Sequence, residues 1–273
     1  MQLTDRKVLV TGAAVGIGRA VAVRLARAGA DVAVHHVSPE EHPEAVVDEI
    51  AALGRRAVAL QADLTDADAA AGLAARAAAA LGGLDGLVNN AGLTINSPLE
   101  EMPDAQLGVL LDLNLRGPML VSRGALAHLK RAAAMRDAAG TGAPFIVNVS
   151  SVHAVAAMPE YSVYGATKAA VAAFSRSLAL ELAPFGIIVN AVAPGWIFVE
   201  SQRRALGTDF DPVAAGEVLP AGRLGRPEDV AEAVHFLATA SGFVIGTTLI
   251  VDGGQLARLG GAAALPTEPF GTA

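Results

Sequence analysis

Two side chains with acid–base chemistry lie four residues apart in the sequence. They are Tyr164 and Lys168, in the segment Tyr164-Gly165-Ala166-Thr167-Lys168. Residues four apart lie on one face of a helix, so the Lys168 ammonium would lie beside the Tyr164 phenol. A neighbouring cation lowers the pKa of a phenol and makes it a better proton donor. The same pattern also fits an amphipathic helix with a boundary tyrosine and a surface lysine, so the rest of the sequence must decide.

A glycine-rich segment near the start of the chain has the pattern of a phosphate-binding turn. Thr11 to Gly18 follows a strand-like run and precedes an apolar helix. Glycine lets the backbone turn tightly and approach a pyrophosphate, which then lies at the positive N-terminus of the helix. The segment predicts a dinucleotide site that includes Gly12, Gly16, Ile17 and Gly18.

The end of the second predicted strand normally distinguishes the two nicotinamide dinucleotides. NAD sites place an acid there for a ribose hydroxyl, and NADP sites place a basic group for the extra phosphate. The segment here is His35-His36-Val37-Ser38, which has no acid and no arginine. His36 and Ser38 could hydrogen-bond a phosphate, so the sequence weakly favours NADP over NAD. Because adjacent histidines on a strand point to opposite faces, we expect no metal site.

Polar residues also follow the later strands. Asp63, next to Leu64, could accept a hydrogen bond from an adenine amino group or cap the helix that opens near Asp66. After the fourth strand, small residues and an amide could line the adenosine side of a cleft, namely Asn90, Ala91 and Gly92. Asn89 is interpreted as structural. An amide such as Asn114, within an apolar helix, needs a partner, or marks a kink in that helix.

The elements that carry these residues form an alternating pattern. Short β-branched runs alternate with long alanine-rich helical stretches, which predicts an α/β fold of Rossmann type. This is a doubly wound parallel sheet of about seven strands with helices on both faces, and its carboxyl ends share one edge. The predicted strands are Lys7–Val10, Val32–His36, Ala57–Gln61, Leu84–Asn89, Phe145–Ser150, Ile187–Ala193 and Thr248–Val251.

Composition limits the classes of partner. The chain has 273 residues, 53% hydrophobic and 17% charged, with a net charge of −7 and no cysteine. We therefore expect a folded enzyme that binds neither nucleic acid nor a membrane, and that lacks disulfides and thiolate metal sites. The first residues show no signal-peptide pattern, and no apolar run is long enough to span a bilayer. A cytoplasmic location is the expectation.

The order of these motifs resembles the short-chain dehydrogenase/reductase family over roughly residues 5 to 255. Further matching segments are Pro194-Gly195 and Val251-Asp252-Gly253-Gly254. The resemblance implies hydride transfer between NAD or NADP and a small alcohol or carbonyl substrate. It implies that Tyr164 is the general acid/base, and that Lys168 lowers its pKa and holds the nicotinamide ribose. Ser151 would orient the substrate oxygen and Asn114 would position a water in a proton relay.

Other residues of the site follow from the same resemblance. The segment Pro194-Gly195-Trp196-Ile197-Phe198-Val199 would contact the cofactor through Pro194, Gly195 and Ile197, although Val199 replaces the threonine that is usual there. His153 and Trp196 would contact the substrate, which could be a sugar, a polyol or a 3-oxo compound. Tyr161 also forms a pair with Lys168, at the wider spacing of enoyl reductases, and this alternative stays open.

The remaining expectations concern organisation and function class. A catalytic domain of residues 1–255 would include a variable substrate lid at 196–224, with Arg203, Arg204 and Asp209, and would precede a tail at 256–273 that contains Pro266, Pro269 and Phe270. The family implies a homotetramer. The alternative to an enzyme is a non-catalytic dinucleotide sensor or scaffold on the same fold, which would be free to lose Tyr164, Lys168 or Ser151.

Overall fold

A seven-stranded parallel sheet forms the centre of the molecule, in a computed structural model that describes residues 2–135, 142–199 and 210–258. The strand order is β3-β2-β1-β4-β5-β6-β7, and every neighbouring pair is parallel. The strands are β1 (Lys7–Val10), β2 (Asp31–His36), β3 (Ala57–Gln61), β4 (Gly86–Asn89), β5 (Phe145–Val149), β6 (Ile188–Pro194) and β7 (Thr248–Val251). The predicted α/β sheet is therefore confirmed, with strand ends that differ by at most two residues.

Helices cover both faces of the sheet. They are α1 (Gly16–Arg27), α2 (Pro43–Ala52), α3 (Ala67–Leu81), α4 (Asp104–Leu111), α5 (Gly117–Ala134), α6 (Ser162–Leu182), α7 (Pro212–Glu217) and α8 (Pro227–Thr239). Helices α1, α2 and α8 share one buried apolar cluster with the sheet, and α3, α5 and α6 share the other. None of the helices in the described ranges is long and apolar enough to cross a membrane.

The central strands are buried on both faces, which explains their continuous apolar sequences. In β1, for example, Val8 and Val10 pack into one cluster and Leu9 packs into the other. In β5 the same alternation places Val147 on one side and Ile146 on the opposite side. This burial fixes the register of each strand, so the residues that follow the strand ends lie at defined positions along one edge.

A buried polar chain links strands β4 and β5 to helix α6. The Asn89 Nδ2 donates to the Asn148 Oδ1 at 2.8 Å, and the Asn148 Nδ2 donates to the Ser175 Oγ at 2.8 Å. The Ser122 Oγ of α5 also accepts from the Asn89 Nδ2, at 2.9 Å. Because each bond replaces water that the core excludes, the chain holds these elements at one relative position. This agrees with the structural interpretation of Asn89.

Some predictions fall on residues that the structure does not describe. In the predicted lid, residues 196–199 and 210–224 are described and include α7, whereas Arg203, Arg204 and Asp209 lie outside the described residues. Pro266, Pro269 and Phe270 of the predicted tail also lie outside them. The domain boundaries and the role of the tail stay predictions.

The contact between α3 and α5 gives a test of the packing. A Cβ on Gly124 of α5 would lie 2.4 Å from the Ala71 carbonyl oxygen of α3, whereas a Cβ on Gly72 would meet nothing within 4 Å. We expect Gly124→Ala to lower the free energy of unfolding by about 2 kcal/mol, because the two helices must separate. The matched variant Gly72→Ala should raise it by about 0.5–1 kcal/mol through helix propensity. Chemical denaturation measures both, and equal effects at the two sites would contradict this packing.

Candidate active site

A cavity of about 1050 Å³ lies along the carboxyl edge of the sheet. It extends from the ends of β2 and β3, across β1 and β4, to the ends of β5 and β6. Ligand sites of open α/β sheets occur at this edge. The predicted site residues that line it are Gly12, Gly16, Ile17, Asp63, Leu64, Asn90, Ala91, Gly92, Ser151, His153, Tyr164, Lys168, Pro194, Gly195, Trp196 and Ile197.

The glycine turn presents the N-terminus of α1 to this cavity. Val15, the residue before the helix, gives no side-chain hydrogen bond to the first turn, so no side chain caps the N–H groups of that turn. A Cβ on Gly16 would lie 3.3 Å from Val199, and a Cβ on Gly18 would lie 1.9 Å from the Gly12 carbonyl oxygen. The backbone is thus open to a pyrophosphate at the helix N-terminus, which fits a bound dinucleotide. Gly18 does not line the cavity but allows the turn to close.

Strands β1 and β4 are tied together beneath the turn. The Thr11 Oγ1 accepts from the backbone N–H groups of Asn90 and Ala91, at 2.9 and 3.0 Å. The Asn90 Nδ2 donates to the carbonyl oxygens of Thr11 and Gly12, at 3.0 and 3.1 Å. Asn90 therefore lines the cavity while its amide stabilises the glycine turn.

His35 is a structural link between the glycine turn and β3. Its Nδ1 accepts from the Gly12 N–H at 2.9 Å, and its Nε2 lies 3.0 Å from the Ala62 carbonyl oxygen. Both contacts are satisfied by a neutral ring that carries its proton on Nε2. Burial lowers the pKa of His35 to about 4, which keeps the ring neutral at physiological pH.

The predicted phosphate ligands after β2 do not reach the cavity. The His36 Nδ1 lies 3.1 Å from the Ser38 carbonyl oxygen, and the Ser38 Oγ accepts from the Glu40 N–H at 3.3 Å. Neither side chain is among the described residues that line the cavity, because the chain turns away in a short 3-10 helix at Pro39–Glu41. Val37 and Glu41 line that part of the cavity instead.

Asp63 faces the same end of the cavity. Its Oδ1 accepts from the backbone N–H and the hydroxyl of Thr65, at 2.9 and 2.7 Å. The cap of α3 is Asp66, whose Oδ1 accepts from the Ala69 N–H at 2.8 Å. Of the two interpretations of Asp63, the helix cap is therefore wrong, and its contact with adenine stays a prediction.

Tyr164 lines the opposite end of the cavity, together with Ser151 and Thr94. Burial raises the pKa of Tyr164, and the neighbouring hydroxyls of Ser151 and Thr94 oppose the rise. The sequence predicts that Lys168 lowers this pKa. In the structure the Lys168 Nζ instead donates to the Val149 carbonyl oxygen at 3.1 Å and lies 5.7 Å from the centroid of the Tyr164 ring.

Lys168 is buried beneath the cavity. Only 5% of the residue is exposed, and loss of hydration lowers the pKa of its ammonium from 10.5 to about 8. The Ser150 Oγ donates to the Lys168 carbonyl oxygen at 2.8 Å, which ties the backbone of α6 to the end of β5. Lys168 therefore occupies a fixed position beside Tyr164.

Asn114 supports this part of the site from a π-helical segment at Asp112–Arg116. Its Oδ1 accepts from the Leu93 N–H at 2.9 Å, and its Nδ2 donates to the Leu93 carbonyl oxygen at 2.8 Å. A Cβ on Gly92 would lie 2.8 Å from the Asn114 Oδ1 and 3.3 Å from the Lys168 Nζ, so Gly92 separates these two groups. The paired amide satisfies the expectation for a buried asparagine, and the water-positioning role stays a prediction.

Aromatic rings form one wall of the cavity next to Tyr164. The His153 ring stacks on Tyr161 with centroids 4.4 Å apart and meets the edge of Tyr164 at 5.9 Å. The Tyr161 hydroxyl accepts from the Asn96 Nδ2 at 2.8 Å. The His153 Nδ1 is buried and has no hydrogen-bond partner among the described residues. Trp196 lines the cavity nearby and packs against Phe210, with centroids 6.0 Å apart.

Sequence reasoning missed Thr94, Asn96 and Glu41, which all line the cavity. Thr94 and Asn96 follow β4 on an extended loop, and their polar character after a strand end was a usable signal. Glu41 lies five residues beyond the end of β2, where only the path of the loop brings it back to the sheet edge. Within the described ranges, no three or more His, Asp or Glu side chains are grouped so that they could hold a metal ion.

The buried neutral ring of His35 should make the stability of the protein depend on pH in the acid range. The folded-state pKa of about 4 lies below the ordinary 6.5, so the unfolded chain binds the proton more tightly. The free energy of unfolding should therefore fall by about 3 kcal/mol in total as the pH is lowered from 6.5 to 4. Denaturant titrations of the wild type and His35→Asn across this range would isolate the effect, because asparagine does not titrate. Parallel pH profiles for the two proteins would contradict the prediction.

Lys168 should reduce stability where it is charged. The pKa of Lys168 is about 8 in the folded protein, against an ordinary value of 10.5. The charged amine therefore lowers the free energy of unfolding by about 3 kcal/mol below pH 8, and this cost disappears as the pH rises to 10.5. We expect Lys168→Met to raise the free energy of unfolding by about 1–3 kcal/mol at pH 7, and by less above pH 8. Lys130→Met is the control, because the Lys130 ammonium is half-buried and packs over the Phe185 ring at 3.8 Å. A lower melting temperature for Lys168→Met at pH 7 would contradict this assignment.

Comparison with known proteins identifies the family. The family model that matches residues 12–255 is described as enoyl-(acyl carrier protein) reductase. The chain is 42% identical over 255 residues to the cis-4-hydroxycyclohexanecarboxylate dehydrogenase of Sinomonas cyclohexanicum, which covers 93% of this chain and 97% of that protein. It is 38% identical over 256 residues to the 3-oxoacyl-[acyl-carrier-protein] reductase FabG of Staphylococcus aureus strain Mu50, with coverage of 93% and 99%.

A solved structure agrees with these relatives. The crystal structure of a short chain dehydrogenase from Burkholderia cenocepacia J2315 in complex with NADP superimposes with a TM-score of 0.81 and 37% identity, and covers 93% of this chain and 98% of that one. The relatives are named dehydrogenases and reductases, so the prediction of an enzyme is confirmed. The chain belongs to the short-chain dehydrogenase/reductase family.

Proposed function

We propose that this enzyme transfers a hydride between a nicotinamide dinucleotide and a small alcohol or carbonyl compound, with Tyr164 as its general acid/base. One observation carries the proposal. Tyr164, Ser151 and Thr94 line one end of a cavity, and the glycine turn at the N-terminus of α1, where Val15 makes no side-chain cap bond, lines the other end. A proton donor and a dinucleotide site in one cavity are the two requirements of this reaction.

Several residues would have separate roles around the reacting oxygen of the substrate. The bound nicotinamide supplies or receives the hydride. Because its pKa is raised, Tyr164 keeps its proton at neutral pH, and its Oη can donate that proton to an alkoxide formed during reduction. The Ser151 hydroxyl would orient the same oxygen, and the Lys168 ammonium would supply positive charge behind the tyrosine and help to hold the nicotinamide ribose. Asn114 holds the Leu93 backbone that lies beside them.

We propose a substrate with a second oxygen in addition to the reacting one. The Tyr161 hydroxyl accepts from Asn96, so its own proton is free to donate to such a group. Leu93, Met158 and Leu219 give the remaining wall an apolar character. Hydroxylated rings, polyols and 3-oxo compounds fit this combination. The names of two relatives, which specify a hydroxycyclohexanecarboxylate and a 3-oxoacyl group, support the same class.

The structure does not support the weak preference for NADP over NAD that the sequence predicts. His36 and Ser38 were its basis, and both are bonded within their own turn. A cytoplasmic location is proposed from the absence of cysteine. A homotetramer is proposed because α8 and the segment around β7 expose Phe236, Phe243 and Ile250, which are 47%, 96% and 45% exposed.

The description of the matching family model favours a second candidate, an enoyl reductase that uses Tyr161. Against it, Ser151 and Thr94 influence the pKa of Tyr164, whereas the Tyr161 hydroxyl accepts a hydrogen bond from Asn96. The two tyrosines therefore have separable roles that a pair of variants can distinguish.

We expect Tyr164→Phe to lower kcat by about 10³-fold or more, because the proton donor is lost, with cofactor affinity changed only a few-fold. Tyr161→Phe should chiefly raise KM. Nicotinamide absorbance would be followed with sugars, 3-oxoesters, diketones and ketosteroids, and cofactor binding would be measured separately. Retained activity in Tyr164→Phe with loss in Tyr161→Phe would assign the enoyl-type reaction instead.

A further inference from the structure

An acidic side chain faces the end of the cavity that is built by β2 and β3. Glu41 ends the 3-10 turn Pro39–Glu41, and its Oε2 accepts from the Val37 N–H at 3.2 Å. Val37 and Glu41 both line the cavity. The next residue, His42, has φ 52°, a left-handed conformation that redirects the chain into α2. The carboxylate is thereby held at the carboxyl end of β2, although the strand itself ends without an acid.

This position is where a dinucleotide presents its adenosine ribose. In doubly wound sheets the ribose lies beside the end of the strand that follows the glycine turn and its helix, which is β2 here. An NAD ribose offers a 2′-hydroxyl that can donate to a carboxylate. An NADP ribose offers a phosphate of nearly two negative charges at the same point.

Within the described residues, no lysine or arginine lines the cavity near Glu41. The only lysine or arginine among the described lining residues is Lys168, which lies at the opposite end beside Tyr164. Arg76 donates to the Gln61 carbonyl oxygen at the end of β3, at 2.8 Å, and does not line the cavity. The lining side chains at this end include Val15 and Val37, which are 46% and 49% exposed, and the Asp63 carboxyl group. Among the described lining residues a 2′-phosphate would therefore meet carboxyl groups and apolar surface rather than the bidentate or point-charge partners that favour phosphates.

We propose that Glu41 selects NAD(H) over NADP(H), through a hydrogen bond from the ribose 2′-hydroxyl to its carboxylate and repulsion of a 2′-phosphate. This rests on the proposed use of a nicotinamide dinucleotide. Glu41 acts in place of an acid at the strand end, and the Val37 N–H keeps its carboxylate in position. His36 and Ser38 shape the turn that carries it and make no contact with the ribose.

The test measures the dissociation constants of NADH and NADPH directly, by calorimetry, so it needs no substrate. Wild-type protein should bind NADH at least about tenfold more tightly than NADPH. Glu41→Gln should reduce that ratio about tenfold, chiefly by tightening NADPH binding, because the amide keeps the shape but removes the charge. The matched control is Glu40→Gln in the same turn, which is exposed and does not line the cavity, and should leave the ratio unchanged.

Salt dependence gives a second measurement if Glu41→Gln fails to fold. Higher ionic strength screens the repulsion of the phosphate, so the NADH preference of the wild type should narrow as salt rises. A preference that widens would indicate attraction between the phosphate and a cation, and would overturn the proposal. Equal or tighter binding of NADPH by the wild type, or an equal effect of Glu41→Gln on both cofactors, would also overturn it. Failure to bind either cofactor would overturn the proposed function as well.

Discussion

Three hydrogen bonds between the carboxyl end of strand β5 and helix α6 hold the proposed reacting groups in place. Asn148 donates to Ser175, Ser150 donates to the Lys168 backbone, and the Lys168 ammonium donates to the Val149 carbonyl oxygen. Ser151 is the second residue after the strand, and Tyr164 lies one turn before Lys168 on the helix. A shift of α6 along the sheet would break all three bonds at once. The distance between the tyrosine and the serine is therefore set by the core, and the loops around the cavity can vary without changing it.

Several polar groups of the core and the site are costly to bury. Among the described residues, the Asn89 Oδ1, the His153 Nδ1 and the Thr248 Oγ1 are buried without a hydrogen-bond partner, and Lys168 is charged where hydration is lost. Two large apolar clusters on either side of the sheet compensate for this cost. Of the three residues with an unpaired atom, only His153 is among the described residues that line the cavity, so its Nδ1 keeps hydrogen-bonding capacity for a ligand.

The sheet and the placement of Ser151, Tyr164 and Lys168 along one cavity could be predicted from the sequence, because both depend on local patterns. Continuous β-branched runs predict buried parallel strands, and the order of the motifs assigns Tyr164, Lys168 and Ser151 to one edge. Properties that depend on the path of the chain could not be predicted. Glu41 reaches the sheet edge only through a turn, and the direction of the Tyr164 pKa depends on how deeply the ring is buried. The link between His35 and Gly12 joins β2 to the turn that follows β1, so it depends on how these two neighbouring strands are aligned.

The tie between Thr11 and Asn90 separates two halves of the cavity that are built by different parts of the chain. On one side of this tie, the ends of β2 and β3 face the part of the cavity proposed for the adenosine. On the other side, the ends of β5 and β6 face the part proposed for the reaction. A substitution at one end has no direct contact with the other. Natural selection, or a protein engineer, can therefore alter the choice of cofactor and the choice of substrate in separate steps, and neither change needs to be compensated by the other.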